Sequence, residues 1–172
     1  MNKFSFLSLI LGFTFISSTA FAAVDPEVSY ILNTLLFLIG GFLVMWMAAG
    51  FAMLESGLVT SKSVATIAAK NIGLYSIAGL MFWFVGYNLA YGIPEGGFIG
   101  TFLPWSDASS IETGYSDGSD WFFQMVFCAT TCSIVSGTMA ERIKIWPFFL
   151  FCAILAGVIY PIEMGWQWGG GH

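Results

Sequence analysis

Charged residues are scarce in this sequence, and their scarcity excludes most water-soluble folds. Only 9% of the 172 residues are charged, whereas 58% are hydrophobic. Soluble domains carry roughly a quarter charged residues, so this chain lacks the polar surface that water requires. Its long apolar stretches predict an all-α, polytopic membrane protein whose main partner is the lipid bilayer.

Basic residues, cysteine and histidine are also few. Five Lys and Arg residues and a net charge of −5 argue against a nucleic acid partner, because few basic side chains are present to contact phosphates. Cys128, Cys132 and Cys152 lie inside apolar runs, so we expect buried, inert thiols. The sole histidine is the last residue, His172. We therefore predict no metal site, no cofactor and no enzymatic activity.

The first 22 residues have the pattern of a secretory signal peptide. Lys3 forms a short basic region, residues 4–16 are apolar, and Ala20-Phe21-Ala22 is a small-x-small cleavage site. An uncleaved first transmembrane helix is the alternative. A cleaved signal predicts export to a bacterial inner membrane, with the mature N-terminus outside.

Four apolar runs follow the signal sequence, and each is near the roughly 20 residues that a helix needs to cross the hydrocarbon core. Helices are expected because backbone groups in lipid must be paired internally. Glycines within the runs, such as Gly40 and Gly73, predict close helix packing. Pro161 is expected to close the fourth run. The four predicted spans are residues 30–55, 64–92, 121–140 and 145–160.

Charge placement predicts the orientation of these spans. Lys62 follows the first span, and Arg142 and Lys144 follow the third, whereas residues 93–120 contain five acids and no base. Basic turns stay in the cytoplasm, so the acidic connection lies outside. Its turn residues predict a solvated loop.

Two charged residues lie within or at the ends of the spans, toward the cytoplasmic side. Lys70 can extend to the interface along its apolar stem. Glu55 can pair with a base or cap a neighbouring turn. We expect structural roles for both.

Aromatic residues gather at the outer ends of the third and fourth spans. Phe122, Phe123 and Phe127 begin the third, and Phe123 and Phe127 share one helix face. Trp166 and Trp168 end the fourth. An interfacial aromatic belt is the interpretation that the residues alone favour, and a cage for a small cation is the alternative.

Several segments resemble the ammonium transporter family (Amt/Mep/Rh). They are "GFAMLESGLVTSKS", "AAKN" followed by "FWFVGYNLAYG", "FFQMVFCATTCSIVSGTMAERIK" and "YPIEMGWQWGGG". The combination of "AER" and "WGGG" is the most specific part. The resemblance implies an eleven-helix fold of two inverted halves, assembled as homotrimers, with a channel-like pore through each subunit. Its implied function is transmembrane transport of ammonium or ammonia.

The resemblance also assigns roles to individual residues. Trp168 matches the tryptophan of the family's outer ammonium recruitment site. Phe127 matches the phenylalanine that stacks there and gates the pore, and Phe123 matches an aromatic residue of the same vestibule. The site's hydroxyl group, an aspartate after the triple glycine and two pore histidines have no match in this sequence. His172 matches neither histidine, so we assign it no transport role.

These matches identify residues 24–172 as the N-terminal portion of a transporter domain. The resemblance implies a fragment that does not transport by itself, with the outer half of the mechanism and not the inner half. A membrane ammonium sensor or regulatory module on the same scaffold is the main alternative. A non-functional truncated product is the third.

Overall fold

The computed structural model describes residues 24–171. Within them it contains helices and no strand, and four helices are long and apolar enough to cross a membrane. The all-α, four-span prediction is confirmed. The predicted signal peptide (residues 1–22) and His172 lie outside the described residues. The spans are α1 (Pro26–Leu58), α2 (Ser61–Tyr91), α3 (Asp117–Met139) and α4 (Ile145–Trp168).

Two spans contain a π-helical turn. In α2 the turn Phe82–Gly86 lies between α-helices Val64–Met81 and Tyr87–Tyr91. In α4 the turn Leu155–Ile159 lies between Ile145–Ile154 and Tyr160–Trp168. The two turns pack together, and a Cβ added at Gly86 would lie 3.1 Å from both the Ala156 oxygen and Pro161 Cγ.

The expectation that Pro161 ends the fourth span is wrong. Proline has no N–H and normally breaks a helix, but Pro161 sits in the first turn of Tyr160–Trp168. The preceding π turn supplies a local change of register, and proline is tolerated at the start of a helical segment. As a result α4 continues to Trp168.

The core forms where α3 packs against the other three spans. Phe82, Phe148 and Cys128 are among its fully buried side chains. The three cysteines are buried and free, as predicted. Outward-facing apolar residues such as Trp46, which is 70% exposed, match a lipid environment.

Glycines bring α1 close to α3. A Cβ at Gly40 would lie 2.9 Å from Phe123 Cε2, and one at Gly41 would lie 2.6 Å from Phe122 Cε1. Gly73 is likewise covered by the Phe149 ring, whereas Gly50 has no neighbour within 4 Å. Small residues thus permit close packing at most of these positions, and Gly40 provides space for the Phe123 ring.

The turns between α1 and α2 and between α3 and α4 meet at one end of the bundle, which we call the basic end. Glu141 has a positive φ of 60° and accepts hydrogen bonds from the Thr60 backbone N–H at 3.1 Å and the Thr60 hydroxyl at 2.5 Å. Lys62, Arg142 and Lys144 lie in these turns.

Glu55 and Lys70 form a buried ion pair above these turns. Lys70 Nζ lies 3.1 Å from Glu55 Oε2 and donates a hydrogen bond to the Ser136 carbonyl oxygen at 3.0 Å. The same Nζ is 5.0 Å from the centre of the Phe148 ring. The prediction that Glu55 pairs with a base is confirmed. The prediction that Lys70 extends to the interface is wrong, because these partners hold its ammonium group inside the bundle.

The connection between α2 and α3 folds back along α2 at the opposite end. The Trp105 N–H donates to the Trp83 oxygen at 2.8 Å, and the Gly100 N–H donates to the Leu89 oxygen at 3.1 Å. Asp107 is exposed, as expected for a solvated loop. For Asp120 that expectation is wrong, because the residue lies in the first turns of α3 and is 6% exposed.

Candidate functional site

A cavity of about 680 Å³ opens at the end of the bundle opposite the basic end. It brings together Phe123, Phe127 and Trp168, the three residues singled out from the sequence. Residues from all four spans and from the connection before α3 surround it: Phe37, Tyr87, Tyr91, Tyr115, Asp120, Phe123, Gln124, Phe127, Tyr160 and Trp168.

Phe123 and Phe127 form the α3 side of the cavity. They are one helical turn apart, so their rings meet on one face, with centroids 5.1 Å apart and planes at 81°. Phe37 of α1 packs edge-on against Phe123 at 5.4 Å. The close approach at Gly40 therefore positions a ring of the cavity wall.

Trp168 reaches the cavity from the last position of α4, and its side chain is 72% exposed. The glycines after it anchor this end of the helix. Gly169 packs directly on the Ala90 carbonyl of α2, where a side chain would clash. Gly170 turns the chain with a φ of 80°, and the Gly171 N–H donates to the Gly165 oxygen at 3.2 Å. The "WGGG" segment thus ties the end of α4 to the end of α2.

Trp166 has a different environment, although it is only two residues from Trp168. Its indole N–H donates to the Phe98 carbonyl oxygen at 2.9 Å, and its ring lies 4.8 Å from the Phe98 ring. It does not line the cavity that contains Phe123 and Phe127, although it borders a second, smaller pocket together with Trp168. The two tryptophans are therefore separable by mutation.

Sequence reasoning missed the polar part of the cavity. Tyr87, Tyr91, Tyr115 and Tyr160 line it, as do Asp120 and Gln124. Asp120 precedes Phe123 by three residues and Phe127 by seven, a spacing that puts all three on one helix face. That periodicity was a usable signal for Asp120. The tyrosines come from other segments, so helical spacing within α3 could not reveal them.

Tyr115 lies outside the spans and contributes a neutral hydroxyl. Burial raises the pKa of Tyr115, and the carboxylates of Asp120 and Asp117 raise it further. The phenol therefore stays protonated at neutral pH and can both donate and accept a hydrogen bond. Among residues 24–171, no group of three His, Cys, Asp or Glu side chains could hold a metal ion.

Four membrane-length helices around a ligand-sized cavity define a multi-pass membrane protein. Comparison with known proteins gives its family. A sequence model of the Ammonium Transporter Family matches residues 35–172, so the chain belongs to this family.

Curated relatives are named as ammonium transporters and not as enzymes. Amt2 of Archaeoglobus fulgidus is 45% identical over 139 residues, which cover 78% of this chain and 28% of that protein. The ammonium transporter of Aquifex aeolicus is 31% identical over 178 residues, which cover 99% of this chain and 41% of that protein. The chain thus spans less than half the length of these relatives.

Solved structures share the fold. A structure described as a sensor Amt protein matches with a TM-score of 0.75 and 30% identity, over 84% of this chain and 36% of that one. Mep2 of Candida albicans matches with a TM-score of 0.70 and 24% identity, over 86% of this chain and 34% of that one. The similarity to Mep2 concerns the fold alone.

Proposed function

We propose that this protein takes part in the uptake of ammonium or ammonia across a membrane, and that Phe123, Phe127 and Trp168 form an outer recruitment site for the ammonium ion. The observation that carries the proposal is that these three residues, from two spans, line one cavity. Membership of the family supplies the substrate class. A sensor would need a similar binding site, and the curated relatives named above are transporters.

The cavity offers a small cation two kinds of contact. Ring faces attract a cation by about 0.5–2 kcal/mol each, more when water is excluded. Tyrosine hydroxyls provide acceptors for N–H groups. Behind the cavity lie membrane spans whose interior disfavours a bare charge, which is consistent with a substrate that sheds its proton before it crosses.

The orientation and location belong to the same proposal. The basic turns lie at the end of the bundle opposite the cavity, and basic turns stay in the cytoplasm. The cavity would then open to the outside of a bacterial inner membrane, with the mature N-terminus on the same side. A signal peptide at residues 1–22 would deliver that topology.

A homotrimer is the assembly that the family resemblance implies. Within one chain, only 6% of the apolar membrane-spanning stretch of α1 is buried. An extended apolar surface therefore remains for lipid or for neighbouring subunits. Native mass spectrometry of the purified protein tests this assembly, and a species of one chain only would contradict it.

Binding of methylammonium tests the site. The full chain is purified in detergent, and binding of the labelled cation is measured by equilibrium dialysis at pH 7. Trp168→Leu and Phe127→Ala should each weaken binding by about twofold to thirtyfold, as expected for loss of one cation–ring contact.

Trp146→Leu is the matched control. Trp146 lies at the basic end of α4 and is 78% exposed, so its replacement should leave binding unchanged. Trp166→Leu should have little effect, because that indole lies outside the cavity. Equal losses at Trp166 and Trp168 would favour the aromatic belt and contradict the recruitment site.

A further inference from the structure

The cavity contains a buried carboxylate that the aromatic recruitment site does not use. Asp120 is 6% exposed and lines the cavity beside Phe123. Its Oδ2 accepts a hydrogen bond from the Tyr87 hydroxyl at 2.7 Å, and its Oδ1 accepts one from Gln124 Nε2 at 3.3 Å. Both donors are neutral. A carboxylate has about four acceptor positions, so each oxygen can accept a further hydrogen bond.

No basic side chain in the described part of the chain offsets this charge. Its Lys and Arg residues all lie in the basic end or, for Lys70, in the ion pair above it: Lys62, Lys70, Arg142 and Lys144. A buried carboxylate without a cationic partner is costly. Two neutral hydrogen bonds and the nearby N-terminus of α3 offset part of that cost. A cation in the cavity would offset much more of it.

We propose that Asp120 is the anionic residue of the cavity and that it makes the site selective for monovalent cations with N–H donors. This inference rests on the proposed function and adds a residue to it. Ring faces attract any cation of suitable size, whereas carboxylate and phenol oxygens also accept hydrogen bonds from N–H groups. Tyr87 acts as a positioning residue, since its hydroxyl holds Oδ2 at the cavity wall.

Substitution of Asp120 tests the proposal in the same dialysis assay on the full chain. Asp120→Asn should weaken methylammonium binding by about tenfold to a hundredfold, the range expected for loss of a charged hydrogen-bond partner. Asp120→Glu keeps the charge and should lose less. Tyr87→Phe should cause an intermediate loss, because the carboxylate remains but is less well held.

Asp117→Asn is the matched control, because it removes the same charge one turn earlier in α3. The Asp117 carboxylate accepts a hydrogen bond from the Ala108 N–H at 3.0 Å and does not line the cavity. Its replacement should leave the affinity unchanged. Asp120→Ser, a smaller polar replacement, is a second charge-removing variant in case the asparagine protein does not fold.

The outcomes separate the two proposals. If Asp120→Asn or Asp120→Ser binds as well as the wild type while Trp168→Leu and Phe127→Ala bind less, Asp120 has no such role and the aromatic site stands. An Asp117→Asn protein that loses as much affinity as Asp120→Asn would also overturn the inference, since the effect would then be one of general charge. A wild-type protein that binds no methylammonium would overturn both proposals.

Discussion

At the scale of single residues, Lys70 and Glu55 place two opposite charges among packed helices. Their side chains are 6% and 2% exposed, respectively. Removal of one partner leaves the other charge buried and unpaired, which costs about 3–5 kcal/mol. We therefore expect Lys70→Met to lower the stability of the protein in detergent by that amount, as measured by thermal unfolding.

The double variant provides the control for this prediction. Lys70→Met combined with Glu55→Gln removes both charges, so it should recover part of the lost stability. A single Lys70→Met variant as stable as the wild type would show that the pair contributes little. A double variant as unstable as Lys70→Met would instead assign the loss to other contacts of Lys70, such as that of its ammonium group with the Phe148 ring.

At the scale of elements, the contact between Glu141 and Thr60 joins the two turns of the basic end. Hydrogen bonds from the Thr60 side chain, the Ser63 side chain and the Thr60 N–H lower the pKa of Glu141. Because the folded-state pKa is depressed, this contact stabilises the protein above the unfolded pKa of about 4.3. The contribution is lost as the pH falls through the folded value.

The pH dependence of unfolding measures that contribution. Wild-type protein should lose stability as the pH falls below about 4.3, and Glu141→Gln should show a smaller decrease over the same interval. Glu95→Gln, in the exposed connection between α2 and α3, should keep the wild-type dependence. Identical profiles for all three proteins would mean that the turns are not joined through the Glu141 carboxylate.

Elements also show how far the sequence could predict the structure. The apolar runs predicted four spans, because a lipid environment leaves few alternatives to a helix. They could not predict that α4 passes Pro161, since the π turns of α2 and α4 depend on contacts between two distant segments. Lys70 and Asp120 were misplaced for a similar reason. Their burial depends on partners in other helices, and hydropathy along one helix does not contain that information.

The candidate site was predicted in its aromatic part and missed in its polar part. Phe123, Phe127 and Trp168 came from the family resemblance, and the structure brings them to one cavity. Tyr87 and Tyr160 approach from α2 and α4 only because those helices end beside α3. Such convergence is a property of the packed bundle and not of a motif.

At the scale of the whole molecule, the proposed topology can be tested by chemical labelling. Ser106→Cys, in the exposed connection between α2 and α3, should react with a membrane-impermeant thiol reagent applied to intact cells. Ile143→Cys, in the basic end, should react only after the membrane is opened. The three native cysteines are buried, so the unsubstituted protein serves as the low-background control. The reverse pattern would place the cavity on the cytoplasmic side.

The folded-back connection between α2 and α3 determines where a protease would cleave the molecule first. Residues 100–105 are held against α2 by backbone hydrogen bonds, whereas residues 106–113 are exposed. A protease would therefore cut the second stretch first. The cut would divide the chain into two helical hairpins, α1–α2 and α3–α4. Gly40 and Gly41 allow α1 to pack closely against α3, and this contact joins the two hairpins. The cleaved protein should therefore remain associated. We thus expect that an intact loop is not required to hold the bundle together once it has folded.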